Sequence, residues 1–164
     1  MAGAGALSGE TAAIAERIAD VAREQGWTVA VAESLTSGSI ACQLGAAPEA
    51  NSWFAGGVVA YASEVKFKVL DVNRGPVVTA RCAEQMARGV ARLTNADFAV
   101  AVTGVGGPDP DEGHPAGTVY LAVSSGSHEE SAHHEFDGDP PEVVELATLT
   151  ALRKLLTMLE NAGR

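Results

Sequence analysis

Three short apolar runs of strand type, Trp27–Val31 (WTVAV), Asn51–Tyr61 (NSWFAGGVVAY) and Asp97–Val102 (DFAVAV), are separated by segments whose apolar residues recur at helical spacing. Each strand returns to the next through a helix, and such connections place helices on the faces of a shared sheet.

Ala12, Ile14, Ile18, Val21 and Ala22 predict a first helix, capped by Ser8 and stopped at Gly26. A second helix is expected from about Ser37 to Gly45, ending before Pro48. In the second apolar run, Gly56 and Gly57 mark a bulge or a close backbone approach. A short helix (SEVKFKVL) starts at Ser63, and a longer one (TARCAEQMARGVARLTN) is capped by Thr79. Downstream, TVYLAVS from Thr118 and SAHHEF from Ser131 flank Ser125, Gly126 and Ser127 as a hairpin, and a last helix runs from Pro141 to Leu159. The hairpin makes the expected α/β sheet a mixed one, covered on both faces. A single domain over 1–164 is expected, without internal repeats, with residues 1–7 and 161–164 loose.

Composition narrows the partners. The 164 residues are 46% hydrophobic and 20% charged with a mean hydropathy of +0.09, which suits one ordinary core. A formal charge of −10 gives no support to nucleic-acid binding, which needs a broad basic surface. A small anionic substrate stays open, since a few amides and one or two cations hold a phosphate against the global field. The N-terminus lacks a signal-peptide pattern and no segment reaches the roughly 18 apolar residues of a membrane span, so a cytoplasmic protein with no membrane partner is expected. Cys42 and Cys82 have no paired spacing and are read as buried free thiols on helices.

Chemistry concentrates at two strand ends. The first run leads into Glu33-Ser34-Leu35-Thr36-Ser37-Gly38, and the third into Thr103-Gly104-Val105-Gly106-Gly107-Pro108. Ligands of open α/β sheets bind beyond strand carboxyl ends, and a helix start offers amides to a developing oxyanion. Ser34 and Thr36 are equally well placed as helix caps, Glu33 as a solvated carboxylate, and the glycine turn as a plain turn. Tyr61 and Lys66 add a third element, since a lysine of lowered pKa serves a nearby serine as base; a surface lysine on an amphipathic helix is the simpler alternative. His133 and His134 are adjacent in a strand and face opposite sides. Asp109, Asp111, Glu112 and His114 match no metal-ligand spacing and are read as a solvated loop, so no metal site is expected.

Taken together, VAESLTSG, FAGGVVAY with ASEVK, TGVGGPD and PAGTVY, in this order from about Val29 to Tyr120, resemble the C-terminal domain of the CinA (competence/damage-inducible) family. That family includes stand-alone nicotinamide-mononucleotide amidohydrolases. The resemblance implies a three-layer α/β/α sandwich and hydrolysis of the carboxamide of nicotinamide mononucleotide to nicotinate mononucleotide and ammonia, in pyridine-nucleotide recycling. It implies Ser34 as nucleophile, with Tyr61 and Lys66 activating the hydroxyl or shuttling its proton. Glu33 and Thr36 would shape the turn, Thr103 and Gly104 would line the pocket, Gly38, Gly106 and Gly107 would contribute to substrate binding, and the phosphate would be held by amides of a glycine turn, by Ser37 or by a cation. No metal or organic cofactor is implied.

Two departures bear on the substrate. Ser37 stands where many relatives have glycine, and Pro140 and Val144 stand where two arginines are common, leaving Arg74, Arg81 or Lys68 as substitute phosphate cations. A CinA-like binding or regulatory module without turnover, and a serine-lysine hydrolase of another small amide, are the alternative readings. With the first motif about 28 residues from the N-terminus, a stand-alone form is expected. A homo-oligomer joined through Trp53, Phe54 and the FAGGVVAY strand is a further expectation.

Overall fold

Ten regular elements follow one another in the structure, a computed structural model that describes residues 3–164, with side chains from residue 7 onward. They are α1 (Gly3–Gln25), β1 (Val29–Glu33), α2 (Ser39–Gly45), β2 (Phe54–Val59), α3 (Ser63–Leu70), α4 (Ala80–Thr94), β3 (Phe98–Gly104), β4 (Thr118–Ser125), β5 (Glu129–Glu135) and α5 (Pro140–Ala162), with a single 3-10 turn at Ala50–Ser52. The strands form one sheet in the order β2-β1-β3-β4-β5. The first three are parallel, and the β4–β5 hairpin continues the sheet antiparallel. The expected α/β architecture, a mixed sheet between helical layers, is the one that forms.

Alternation along the strands sorts the core into two layers. Val29 and Val31 of β1 and Phe98, Val100 and Val102 of β3 face α1, α2 and α5, where they pack with Ile18, Ile40, Leu44, Leu152 and Leu155. Ala30, Ala32, Ala99 and Ala101 face the other way and meet Leu70, Ala83, Met86, Ala87 and Val90 of α3 and α4. One face of the sheet is branched and aromatic, the other is alanine. A helix on the alanine face can sit close, and α4 adds its own small residues: a Cβ at Gly89 would collide with the carbonyl of Leu70, the last residue of α3. Each fully buried Val or Leu contributes about 1.5–3 kcal/mol, so both layers are substantial.

Several boundaries differ from expectation. β1 starts later than WTVAV because Trp27 packs its ring on Phe98, 4.8 Å between centroids, and lies outside the ladder. β2 is shorter than NSWFAGGVVAY because Trp53 turns into the core, its indole N–H donating to the Pro48 carbonyl at 3.0 Å. Trp53 is therefore not a surface patch for self-association. The two glycines behave as expected: the β1–β2 register shifts before Gly56, and a Cβ at Gly57 would meet the Val31 carbonyl.

α1 begins at Gly3, which places Ser8 inside the helix and not at its cap, and Ala12 is exposed while Ala15, Ile18 and Ala22 are buried. Thr79 does cap α4, accepting from the Cys82 amide at 3.0 Å. α5 outruns its expected limits because a capping box starts it: Asp139 accepts from the Glu142 amide at 3.0 Å and Glu142 from the Asp139 amide at 2.8 Å. Residues 161–162 are thus helical, as are residues 3–7; the expectation of a loose start for residues 1–2 lies outside the described residues. Cys82 is buried, but Cys42 is exposed on α2, against expectation. Among the described residues no helix is long and apolar enough to cross a membrane.

Candidate active site

The strand order reverses between β1 and β3, and the segments leaving β1, β2 and β3 converge at that end of the sheet. Glu33, the last residue of β1, is fully buried, and its two carboxylate oxygens accept from the amides of Ile40 and Ala41 at 2.9 Å each. These are first-turn amides of α2, whose own cap, Gly38 at φ 100°, offers no side chain. Glu33 therefore does the capping that Ser34 and Thr36 were expected to do, and it is not solvated. A second expectation falls with it: the α2 amides are engaged by this carboxylate and by the Thr36 carbonyl, which accepts from Ser39 N at 3.0 Å, so they are closed to a substrate oxyanion.

Capped by Glu33 behind it, the turn presents Ser34 to Lys66. Lys66 lies one turn into α3 and is only 1% exposed, which overturns the surface-lysine reading. Its Nζ donates to Ser34 Oγ at 2.9 Å, to the Ala60 carbonyl at 2.7 Å and to the Tyr61 carbonyl at 3.2 Å. Burial pushes the Lys66 amine below its ordinary pKa, partly offset by Cys82 and Glu112. The geometry suits both protonation states: an ammonium gives one N–H to each acceptor, whereas a neutral amine keeps two for the carbonyls and turns its lone pair to the serine hydroxyl.

A cavity of about 220 Å³ opens over this pair. It brings together Ser34, Tyr61, Lys66, Thr103, Gly104, Gly106 and Gly107, and Val77, Val78, Asp109 and Asp111 are among its other lining residues. The Tyr61 side chain is 67% exposed at the rim, while its carbonyl faces Lys66. Thr103 turns away to hold the wall, its hydroxyl donating to the Val77 carbonyl at 2.8 Å. Glu33, Thr36, Ser37 and Gly38 do not line the cavity. Thr36 is buried with an unpartnered hydroxyl, and Ser37 adopts a left-handed φ of 51°, a backbone conformation that favours glycine.

Three residues escaped sequence reasoning. Val77 and Val78 form a wall although nothing in their spacing relates them to Ser34. Glu112, expected in a solvated loop, accepts from the Val77 amide at 2.7 and 3.0 Å and from the Val78 amide at 2.7 Å. The unusual length of its loop was the only sequence signal.

Substitutes for the absent arginines are also elsewhere. Arg74 pairs with Glu64 at 2.6 Å and Lys68 with the same carboxylate at 3.7 Å, and neither these two nor Arg81 line the cavity. Pro140 stands near the glycine turn, its Cγ 4.0 Å from where a Gly107 Cβ would lie. Among the described residues no group of three or more His, Cys, Asp or Glu is placed to hold a metal ion.

Comparison with known proteins places this geometry in context. The model of the CinA C-terminal domain matches residues 11–159. A Geobacillus kaustophilus protein named for competence-damage inducibility is 43% identical over 117 residues, 68% of this chain and 28% of its own length. A CinA-like protein of Frankia casuarinae is 34% identical over 168 residues, 98% of this chain and 39% of its own. The chain thus spans less than two-fifths of these relatives. Among solved structures, a CinA superfamily protein from Klebsiella pneumoniae superposes with a TM-score of 0.88 at 32% identity, covering 92% of this chain and 98% of that one.

Proposed function

This chain belongs to the CinA C-terminal domain family, and from that premise we propose that it is an amidohydrolase that converts nicotinamide mononucleotide to nicotinate mononucleotide and ammonia. The observation that carries the proposal is the Lys66–Ser34 contact of 2.9 Å, made by a buried lysine whose pKa burial lowers. A neutral Lys66 takes the Ser34 proton as Oγ attacks the carboxamide carbon. The same proton then passes to the departing nitrogen, which leaves as ammonia, and an ester to Ser34 remains. Water, deprotonated by Lys66, attacks that ester and releases the acid, returning the proton to Ser34. Since the α2 amides are occupied, the amides of Gly106 and Gly107 at the cavity wall are the oxyanion donors in this scheme. The steps call on no metal or organic cofactor, and the reading implies a small-molecule substrate and a cytoplasmic setting.

The test is ammonia release from nicotinamide mononucleotide by wild type, Ser34→Ala and Lys66→Ala. Turnover by wild type that falls by on the order of 10²–10⁴ in each folded variant supports the dyad; a folded wild type without turnover refutes the substrate.

One observation favours a second reading, a serine-lysine hydrolase of a small amide without phosphate. The cavity carries Asp109 and Asp111, and its only cation among the described residues is Lys66, which is already bound to Ser34 and two carbonyls. Ammonia released from nicotinamide or its riboside in preference to the mononucleotide distinguishes it.

A further inference from the structure

We propose that Glu112 is a positioning residue of this site, a clasp that fastens the loop after β3 to the segment before α4 and so fixes the Val77–Val78 wall of the cavity. Its kinetic consequence rests on the amidohydrolase reading; its geometry does not. Both carboxylate oxygens are used, on the amides of Val77 and Val78 at 2.7–3.0 Å. Charge-assisted bonds of this kind are the stronger sort, and swinging the loop outward would break them together.

Two further observations point the same way. Glu112 sits at φ 50°, a left-handed conformation unfavourable to a residue with a Cβ and adjacent to a glycine that adopts it at φ 77°. That backbone belongs to a tight turn closed by the Asp111 amide on the His114 carbonyl at 3.0 Å and the His114 amide on the Asp111 carbonyl at 2.8 Å, so the Glu112 side chain is carried on a fixed turn. Val77 is moreover held at both backbone polar groups, its carbonyl by the Thr103 hydroxyl at 2.8 Å and its amide by Glu112. The wall is thus tied to β3 on one side and to the loop on the other.

The clasp also adds to the field at Lys66, after the larger effects of burial and of Cys82. Facing that amine are the Ser34 hydroxyl from the β1 turn, the Ala60 and Tyr61 carbonyls, the Cys82 thiol from α4 and the Glu112 carboxylate, with Asp109 and Asp111 in the same cavity. Burial pushes the Cys82 thiol up to about 11, so at neutral pH it is uncharged. The fixed carboxylate of Glu112 therefore acts on Lys66 as a standing negative charge, favouring its ammonium form.

The experiment compares wild type with Glu112→Gln and Glu112→Gly, the second relieving the backbone while deleting the clasp. Without any substrate, the Lys66 side-chain carbon resonance, assigned with Lys66→Met, should titrate at lower pH in both variants. Amide exchange at Val77 and Val78 should accelerate by about tenfold or more in Glu112→Gly. With substrate, the acid limb of kcat/KM should move to lower pH, and KM should rise by about tenfold as the wall loosens. Folded variants with unchanged Lys66 titration and unchanged exchange would overturn the clasp. Shifted titration and exchange in a protein that releases no ammonia would leave the clasp standing and refute the amidohydrolase instead.

Discussion

Lys66 Nζ meets Ser34 Oγ at 2.9 Å across 32 positions of sequence, the one leaving β2 on α3 and the other leaving β1 on a turn. Neither segment contains the site by itself. The parallel pairing of β1 with β2, Glu33 opposite Val59, brings the two strand ends level so that the lysine can reach back to the serine.

The lowered pKa of Lys66 has a stability consequence with a definite sign. Below its native titration the lysine is charged in both folded and unfolded chains, and the burial penalty is present in full. As pH rises, the native amine gives up its proton before the unfolded one, whose value is 10.5, and the penalty declines. Denaturant unfolding should therefore show wild type gaining on Lys66→Met as pH is raised from neutrality towards 10.5. A constant difference across that window would mean that Lys66 is not desolvated.

Glu33→Gln tests the cap of α2. Glutamine has one acceptor oxygen, and its amide nitrogen would face an N–H that the carboxylate now satisfies. A loss of about 3 kcal/mol is expected in urea unfolding, since the site is buried and the bonds are charge-assisted. Activity should fall as well, because the same carboxylate anchors the turn that carries Ser34.

Pro140→Arg tests the phosphate question. Pro140 occupies the first helical position of α5, where any residue is tolerated, and the capping box of Asp139 and Glu142 does not depend on it. Placed near Gly107, a guanidinium should lower KM for nicotinamide mononucleotide by about tenfold and leave that for the riboside unchanged. Equal KM values before and after would place the phosphate elsewhere.

The two cysteines should separate cleanly under a thiol reagent at pH 8. Cys42 is exposed on α2, while Cys82 is 2% exposed with its thiol raised by burial to about 11. Native protein should be labelled at Cys42 alone, and unfolded protein at both. Rapid native labelling of Cys82 would contradict the packing of α4 on the sheet.

The layered architecture was legible because strand alternation and helical periodicity are local signals, present in VAV, DFAVAV and the final leucine-rich helix. The strand-end turns and the residues Ser34 and Lys66 were visible through motif order. What stayed hidden depended on distance. Whether Glu33 is a solvated carboxylate or an internal cap depends on where the α2 amides lie seven and eight residues on, and no periodicity records that. Glu112 reaches residues 34 and 35 positions away across a loop of irregular backbone, where sequence carries no repeat to read. Ser8 misled because a good capping residue is also tolerated inside a helix that begins earlier.

The alanine face of the sheet acts as a thickness gauge. Ala30, Ala32, Ala99 and Ala101 set how near α4 lies, and α4 in turn abuts α3 where Gly89 meets Leu70. The valine face opposite can exchange one methylene for another at modest cost to stability alone. On the alanine face the same added volume would be transmitted outward through α4 to the helix that carries Lys66. Sequence drift should therefore be asymmetric across the sheet, open to volume-conserving exchange among branched residues on the α1–α5 side and confined to the smallest side chains on the other, though no residue of that confined layer need touch a substrate.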